Sequence, residues 1–191
     1  MNEPVGTIAA RITEKSPTVI GLCCYIWNIT YIKKLLPSLK KALPDAVIIL
    51  GGPEVSYNAA DILQELPYVD YVLSGEGELP FSRLLDALSS GTDIGAVPGV
   101  CRRTGERIIA APPYCSSDDP PNPYTDAYVK ALNGRIAYLE TSRGCPFSCA
   151  FCLSGRKQPD SRASESVRFF DMARAKRDLL LLSVSGTKTV K

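Results

Sequence analysis

Apolar positions along the first 90 residues alternate between two periods. Val5–Glu14 reads as a short helix. Thr18–Cys23, "TVIGLC", is a compact run rich in β-branched residues and reads as a buried strand. From Asn28 to Leu43 the apolar residues Ile29, Ile32, Leu35, Leu36, Leu39 and Leu43 form one helical stripe, and Asn28 stands where a helix cap belongs. Ala46–Leu50 is a second apolar run, closed by Gly51–Gly52–Pro53. Ala59–Leu66 is predicted helical. Tyr68–Leu73 is a third strand, closed by Ser74–Gly75–Glu76–Gly77. Leu79–Leu88 is a helix that ends at Ser90–Gly91. Strand runs that are apolar on both faces, with helices between them, predict a parallel sheet covered on two sides. The expected fold is a doubly wound α/β domain.

The pattern changes after Val100. "VCRRTGERIIA", Val100–Ala110, reads as a hairpin about Thr104–Gly105. Ala111–Pro123 holds five prolines and two aspartates and reads as a linker. Arg135–Glu140 is strand-like and runs straight into a cysteine-rich loop. Lys157–Ser166, "KQPDSRASES", is polar and expected to be mobile. Asp171–Leu182 is helical with Asp171 at its start, and Thr187–Lys191 begins another strand. The domain plan is 1–110 for the α/β domain, 111–133 for the linker and 134–191 for a second domain. This last stretch holds only a first βα unit, so a truncated chain is expected.

Composition narrows the function. Apolar residues make up 45% and charged residues 22%, which is enough for a packed core. A formal net charge of +2 gives no electrostatic case for a nucleic acid or a membrane surface. No apolar run is long enough to span a bilayer, and the polar start has no signal-peptide pattern, so a cytoplasmic protein is expected. Seven cysteines, two of them adjacent at Cys23 and Cys24, do not suggest a disulfide framework and favour metal or redox chemistry. There is no histidine. That excludes histidine acid–base catalysis, a histidine zinc site and an axial imidazole from this chain.

Cys145, Cys149 and Cys152 fall within eight residues as C-x3-C-x2-C. A structural zinc site would need a fourth ligand, with Cys101 or Cys115 as the candidates. A redox dithiol on Cys149 and Cys152 would leave Cys145 idle. The strongest reading is an iron–sulfur cluster held by three thiolates, with one iron left open for an exogenous ligand. Pro146, Phe147 and Phe151 would shield it from water, and Gly144 lets the backbone come close. The motif, with Phe151 just before the third cysteine, the preceding "AYLETSRGC" and the helix that follows, resembles the radical S-adenosylmethionine superfamily. The resemblance implies a 4Fe–4S cluster on Cys145, Cys149 and Cys152, whose fourth iron takes the amino and carboxylate groups of S-adenosylmethionine. Reductive cleavage then yields a 5′-deoxyadenosyl radical. It also implies Phe151 packed near the adenine, the start of a partial (β/α) barrel, and an electron donor such as flavodoxin or ferredoxin. It assigns no catalytic side chain to this chain.

Two turns carry the remaining signal. "IILGGPEVS", Ile48–Ser56, and "YVLSGEGEL", Tyr71–Leu79, are strand–turn–helix junctions. Gly51, Gly52, Gly75 and Gly77 could admit a ligand to the backbone at the carboxyl ends of the strands, or could simply make tight turns. Placed ahead of the cysteine motif, they resemble the cobalamin-binding domain found in front of many radical S-adenosylmethionine proteins. The resemblance runs from Thr18 to the C-terminus. This chain lacks the Asp-x-His-x-x-Gly loop of many such domains, so any cobalamin would bind without a protein histidine ligand. The flavodoxin-like strand order 2-1-3-4-5 of that fold also implies a missing first strand and a gap inside the sheet. Cys23 and Cys24 are expected to pack as small apolar residues. Trp27 could stack on a cofactor ring or serve as a core or interface aromatic. The expected function is the N-terminal part of a cobalamin-domain radical S-adenosylmethionine enzyme, inactive as this chain alone. The competing reading is a non-catalytic α/β binding module with a structural zinc or iron–sulfur loop.

Overall fold

The computed structural model describes residues 3–147, 149, 150, 152 and 167–191. Phe151 and the polar stretch Lys157–Ser166 lie outside the described residues. The chain divides into two compact units, Met1–Cys115 and Ser116–Lys191.

The first unit is built on a five-stranded sheet in chain order. Helix α1 (Val5–Glu14) precedes β1 (Val19–Cys23); α2 (Ile29–Ala42), β2 (Val47–Gly51), α3 (Ala59–Glu65), β3 (Tyr71–Leu73) and α4 (Glu78–Ser90) follow. The hairpin β4 (Val100–Thr104) and β5 (Arg107–Ile109) completes the sheet. β1, β2 and β3 are parallel, while β4 and β5 run antiparallel. The sheet is therefore doubly wound and mostly parallel, with an antiparallel hairpin at one side.

Alternation along β2 explains both layers. Ile48 and Leu50 point to one face, where they join Ile32, Leu35, Leu36 and Leu39 of α2, Ala9 of α1 and Leu63 of α3. Ile49 points to the other, with Leu84 and Ala87 of α4 and Val100 of β4. Period two in the strand and period 3.6 in the helices thus meet in two cores. Pro37 lies inside α2 but on its exposed side, where the missing backbone N–H is best tolerated.

The sheet corrects one expectation. β1 pairs with β2 residue for residue, from Val19 opposite Val47 to Cys23 opposite Gly51. There is no gap between them. Both runs are β-branched and apolar, and each supplies the backbone partners that the other's edge requires. At the opposite end of the strands, Asp70 accepts from Ile48 N at 2.8 Å and from Lys40 Nζ at 3.1 Å, and Lys40 also donates to the Ala46 carbonyl at 2.7 Å.

In the second unit, α5 (Asp126–Ala131) precedes β6 (Ile136–Ala137) and β7 (Ser142–Arg143); β8 (Arg168–Phe169), α6 (Met172–Ser183) and β9 (Thr189–Val190) follow. β6 and β9 are parallel, so β6, α6 and β9 form a β-α-β unit. β7 and β8 pair antiparallel and bring the two ends of the cysteine-bearing excursion together. Asp171 caps α6 by accepting from Arg174 N at 2.7 Å. The span 111–133 read as linker contains α5, and its residues 116–124 lie bonded to the second unit. Asp119 accepts from Asp171 N at 2.9 Å, Asn122 donates to the buried Asp178 at 2.7 Å, and Tyr124 Oη donates to the Tyr138 carbonyl at 2.6 Å. Arg168 and Arg174 donate to the carbonyls of Ser116 and Pro120. Among the described residues no helix is long and apolar enough to cross a membrane.

Candidate cofactor site

The carboxyl ends of β1, β2 and β3 carry three loops that are tied to one another. The loop after β1 begins at Cys24, whose N–H donates to the Gly51 carbonyl at 2.7 Å and whose carbonyl accepts from Glu54 N at 3.2 Å. The loops after β2 and β3 are joined through two buried serines. Ser74 Oγ donates to the Ser56 carbonyl at 2.6 Å, and Gly75 N donates to Ser56 Oγ at 2.7 Å. These contacts make one preorganised edge of three turns that sequence spacing alone places far apart.

The four glycines of that edge divide into two kinds. Gly52 has φ +100°, and a Cβ there would lie 2.7 Å from the Cys24 carbonyl oxygen. Gly75 has φ +89°, and a Cβ there would collide with the Tyr114 carbonyl and lie 2.5 Å from its nitrogen. Both bare backbones are approached by the chain itself, so their need for glycine is structural. Gly51 and Gly77 meet only the Leu73 side chain, at ordinary contact of 3.8–4.0 Å. Of the four, these two are not closed off by another stretch of backbone.

The loop after β1 presents apolar surface at the same edge. Ile26 is 77% exposed and Trp27 is 74% exposed. Trp27 is therefore not a core aromatic. Its ring stacks on Tyr25, with centroids 4.6 Å apart and planes within 6°. Cys23 beside it, together with partial burial, pushes the Tyr25 phenol up. Asn28 sits at the N-cap position of α2 but makes no side-chain cap bond there. Its amide instead turns back into the loop.

Cys23 and Cys24 part company. Cys23 is exposed and Cys24 is fully buried. Burial, with Cys23 adding, pushes the Cys24 thiol up from its ordinary 9.0 to about 12. Between those values the unfolded thiol ionises and the folded one does not. The unfolded chain then binds fewer protons, and stability falls as pH rises. The urea midpoint of the chain should therefore drop as pH rises from 9.0 toward about 12, and Cys24→Ala should make that drop less steep. Identical slopes for the two proteins would contradict the assignment.

In the second unit, all three motif cysteines are free thiols. Cys145 and Cys152 are half-buried and Cys149 is exposed. Cys152 N donates to the Cys149 carbonyl at 3.0 Å, which closes a turn between the last two. The loop leaves β7 directly after Arg143, whose guanidinium is held bidentately by Glu140 at 2.8–2.9 Å. Arg143, Arg168 and Arg174 all lie 5.7–5.9 Å from the centre of the Phe170 ring. The donor chemistry, three unpaired thiols and no imidazole, fits a thiolate-held iron–sulfur cluster. Among the described residues, however, no three cysteine or carboxylate side chains are already gathered closely enough to hold a metal ion.

Asn28's inward turn and the Ser56–Ser74 link were not visible in sequence. An asparagine before a helical stripe reads as a cap, and nothing in single-sequence spacing joins two loops 18 residues apart.

Comparison with known proteins places these observations. Residues 1–85 match the family model described as B12 binding domain. The chain is 35% identical over 186 residues to the cobalamin-dependent radical SAM methyltransferase TokK of Streptomyces tokunonensis, covering 87% of this chain and 27% of that protein. It is 34% identical to the 2-(S-pantetheinyl)-carbapenam-3-carboxylate methyltransferase of Streptantibioticus cattleyicolor, covering 92% of this chain and 26% of that one. The chain thus spans about a quarter of the length of these relatives. Among solved structures, the cobalamin-dependent S-adenosylmethionine radical enzyme OxsB with aqua-cobalamin and S-adenosylmethionine bound shares the fold. The TM-score is 0.74 at 17% identity, over 97% of this chain and 26% of that one. The radical S-adenosylmethionine methyltransferase TsrM of Kitasatospora setae with cobalamin and a [4Fe-4S] cluster bound gives a TM-score of 0.67 at 16% identity, over 96% of this chain and 39% of that one. By sequence and fold, the chain belongs to the radical S-adenosylmethionine superfamily, in the group that carries a cobalamin-binding domain ahead of the cysteine motif.

Proposed function

We propose that the chain contributes the cobalamin-binding and cluster-binding parts of a cobalamin-dependent radical S-adenosylmethionine methyltransferase. The observation that carries this reading is the exposed Ile26–Trp27 surface at the carboxyl edge of the parallel strands, in a chain without histidine. That edge is where doubly wound sheets take their ligands. A flat corrin ring fits an exposed indole, and Gly51 and Gly77, which carry no side chain at that edge, can face its polar rim. Bound there, a cobalamin would supply a cobalt centre able to carry a methyl group. No residue of this chain would ligate the cobalt through imidazole. The protein's part would be to bind the ring, orient it and shield it from water with Trp27 and Ile26.

Cys145, Cys149 and Cys152 would hold a 4Fe–4S cluster, which supplies the electron for cleavage of S-adenosylmethionine. Because the three thiols are not gathered beforehand, cluster binding would draw them together. An electron donor such as flavodoxin or ferredoxin is part of the proposal, as is Phe151 near the adenine.

Trp27 is the sole tryptophan, so its fluorescence reports on this surface alone. Titration with hydroxocobalamin under anaerobic conditions should quench it saturably, at one cofactor per chain. Trp27→Ala should weaken binding roughly tenfold by equilibrium dialysis, the value of about 1.4 kcal/mol of stacking. Quenching that never saturates would overturn the reading.

A further inference from the structure

Asn28 uses its side chain in a way that the helix it precedes does not require. Its Oδ1 accepts from the Tyr25 backbone N–H at 2.7 Å, and its Nδ2 donates to the Cys23 carbonyl at 2.8 Å. Its own N–H and that of Ile29 both donate to the Tyr25 carbonyl at 2.9 Å. The loop Cys23–Asn28 is therefore closed on itself by one amide, with the Tyr25–Trp27 stack at its tip. The α2 N-terminus gives up a side-chain cap for this arrangement. A cap is commonly worth about 1 kcal/mol, so the loop's geometry is held at the helix's expense.

The two bonds need an acceptor and a donor on one short, planar group. Aspartate keeps the acceptor but sets a carboxylate oxygen against the Cys23 carbonyl. Serine is too short to span both partners. Alanine removes both bonds and leaves the Tyr25 N–H and the Cys23 carbonyl to water. An exposed tryptophan on a loop without that staple would sample many orientations, and ordering it would fall on the binding step.

We propose that Asn28 is a positioning residue for the cofactor surface. It locks the Cys23–Asn28 loop so that the Tyr25–Trp27 pair is a preformed platform for a flat macrocycle. The inference rests on the cobalamin reading above, but its first readout does not need the cofactor. Near-ultraviolet circular dichroism above 290 nm comes from Trp27 alone among the side chains, and it reports whether the indole is held in an asymmetric setting.

The test compares the parent chain with Asn28→Ala and Asn28→Asp. Both variants should keep the far-ultraviolet spectrum, since the two sheet cores do not involve Asn28. Asn28→Ala should lose most of the Trp27 band and raise the Kd for hydroxocobalamin, read by Trp27 quenching, about tenfold. Asn28→Asp should fall between Asn28→Ala and the parent on both readouts, because it retains one of the two bonds. If Asn28→Ala fails to fold, Asn28→Asp carries the same two measurements. A folded variant with an unchanged Trp27 band, or with a Kd within twofold of the parent, overturns the proposal even if its melting temperature has fallen. If the parent itself shows no saturable quenching, the cofactor reading falls. The Trp27 band then still decides whether Asn28 holds the pair.

Discussion

Replacing Gly75 with alanine should destabilise the first unit by about 4 kcal/mol, enough to leave a marginal domain partly unfolded at room temperature. Two effects combine. A left-handed residue that gains a Cβ carries about 1–2 kcal/mol of backbone strain. The larger effect is the close approach of Tyr114, whose backbone lies where the methyl group would go. Tyr114 is held there by two bonds, Glu76 N to its carbonyl and its N–H to the Ser74 carbonyl, both at 2.8 Å. Moving Tyr114 away breaks both, at about 1 kcal/mol each. Gly105 separates the two contributions. It too has positive φ, at +59°, but a Cβ there would meet nothing within 4 Å. Gly105→Ala should therefore cost only about 1 kcal/mol. Urea unfolding followed at 222 nm gives both values. A Gly75→Ala midpoint no lower than that of Gly105→Ala would show that Tyr114 yields freely and that the close approach carries no weight.

The same glycines show what sequence could and could not convey. The elements of the first unit were legible because each apolar stripe has one period. Leu35, Leu36 and Leu39 fit only a helix face, and Ile48, Ile49 and Leu50 fit only a strand covered on both sides. Strand order was less legible. Period says that Thr18–Cys23 is a strand but not which strand it adjoins, so the expected gap gave way to direct pairing with β2. At the site, a glycine pair after a strand announces close approach without saying by what. Gly52 and Gly75 answer to Cys24 and Tyr114, residues from other loops, and only tertiary structure brings those near. Trp27 had the opposite fate. Large aromatics are usually covered, yet Trp27 is exposed on a loop that Asn28 closes, an arrangement composition cannot reveal. The residues read as linker are bonded to α6 and its cap through Asn122 and Asp119 and to Tyr138 through Tyr124, polar groups whose partners are more than ten residues distant.

The second large effect is expected at the cysteine loop. Anaerobic incubation of the chain with iron and sulfide should give a brown protein with about four irons, and Cys149→Ala should lose nearly all of them. The choice among seven cysteines follows from what a ligand must be. A cysteine binds iron as its thiolate, so a thiol that resists ionisation makes a poor ligand. Burial pushes the Cys24 thiol up to about 12 and also pushes Cys101 up. Cys24→Ala and Cys101→Ala should therefore keep their iron. Cys145, Cys149 and Cys152 share one loop and are accessible, with Cys149 the most exposed. Losing any one of three ligands leaves two, too few to hold a cube whose fourth iron already lacks a protein donor. The loss should therefore be nearly complete rather than one third. Iron and acid-labile sulfide analysis measures it directly, and the visible absorption near 400 nm gives an independent reading. If Cys149→Ala keeps its iron while Cys24→Ala loses it, the cluster assignment to this loop is wrong. If the chain takes up one zinc in place of iron and sulfide, a structural metal loop replaces the radical chemistry.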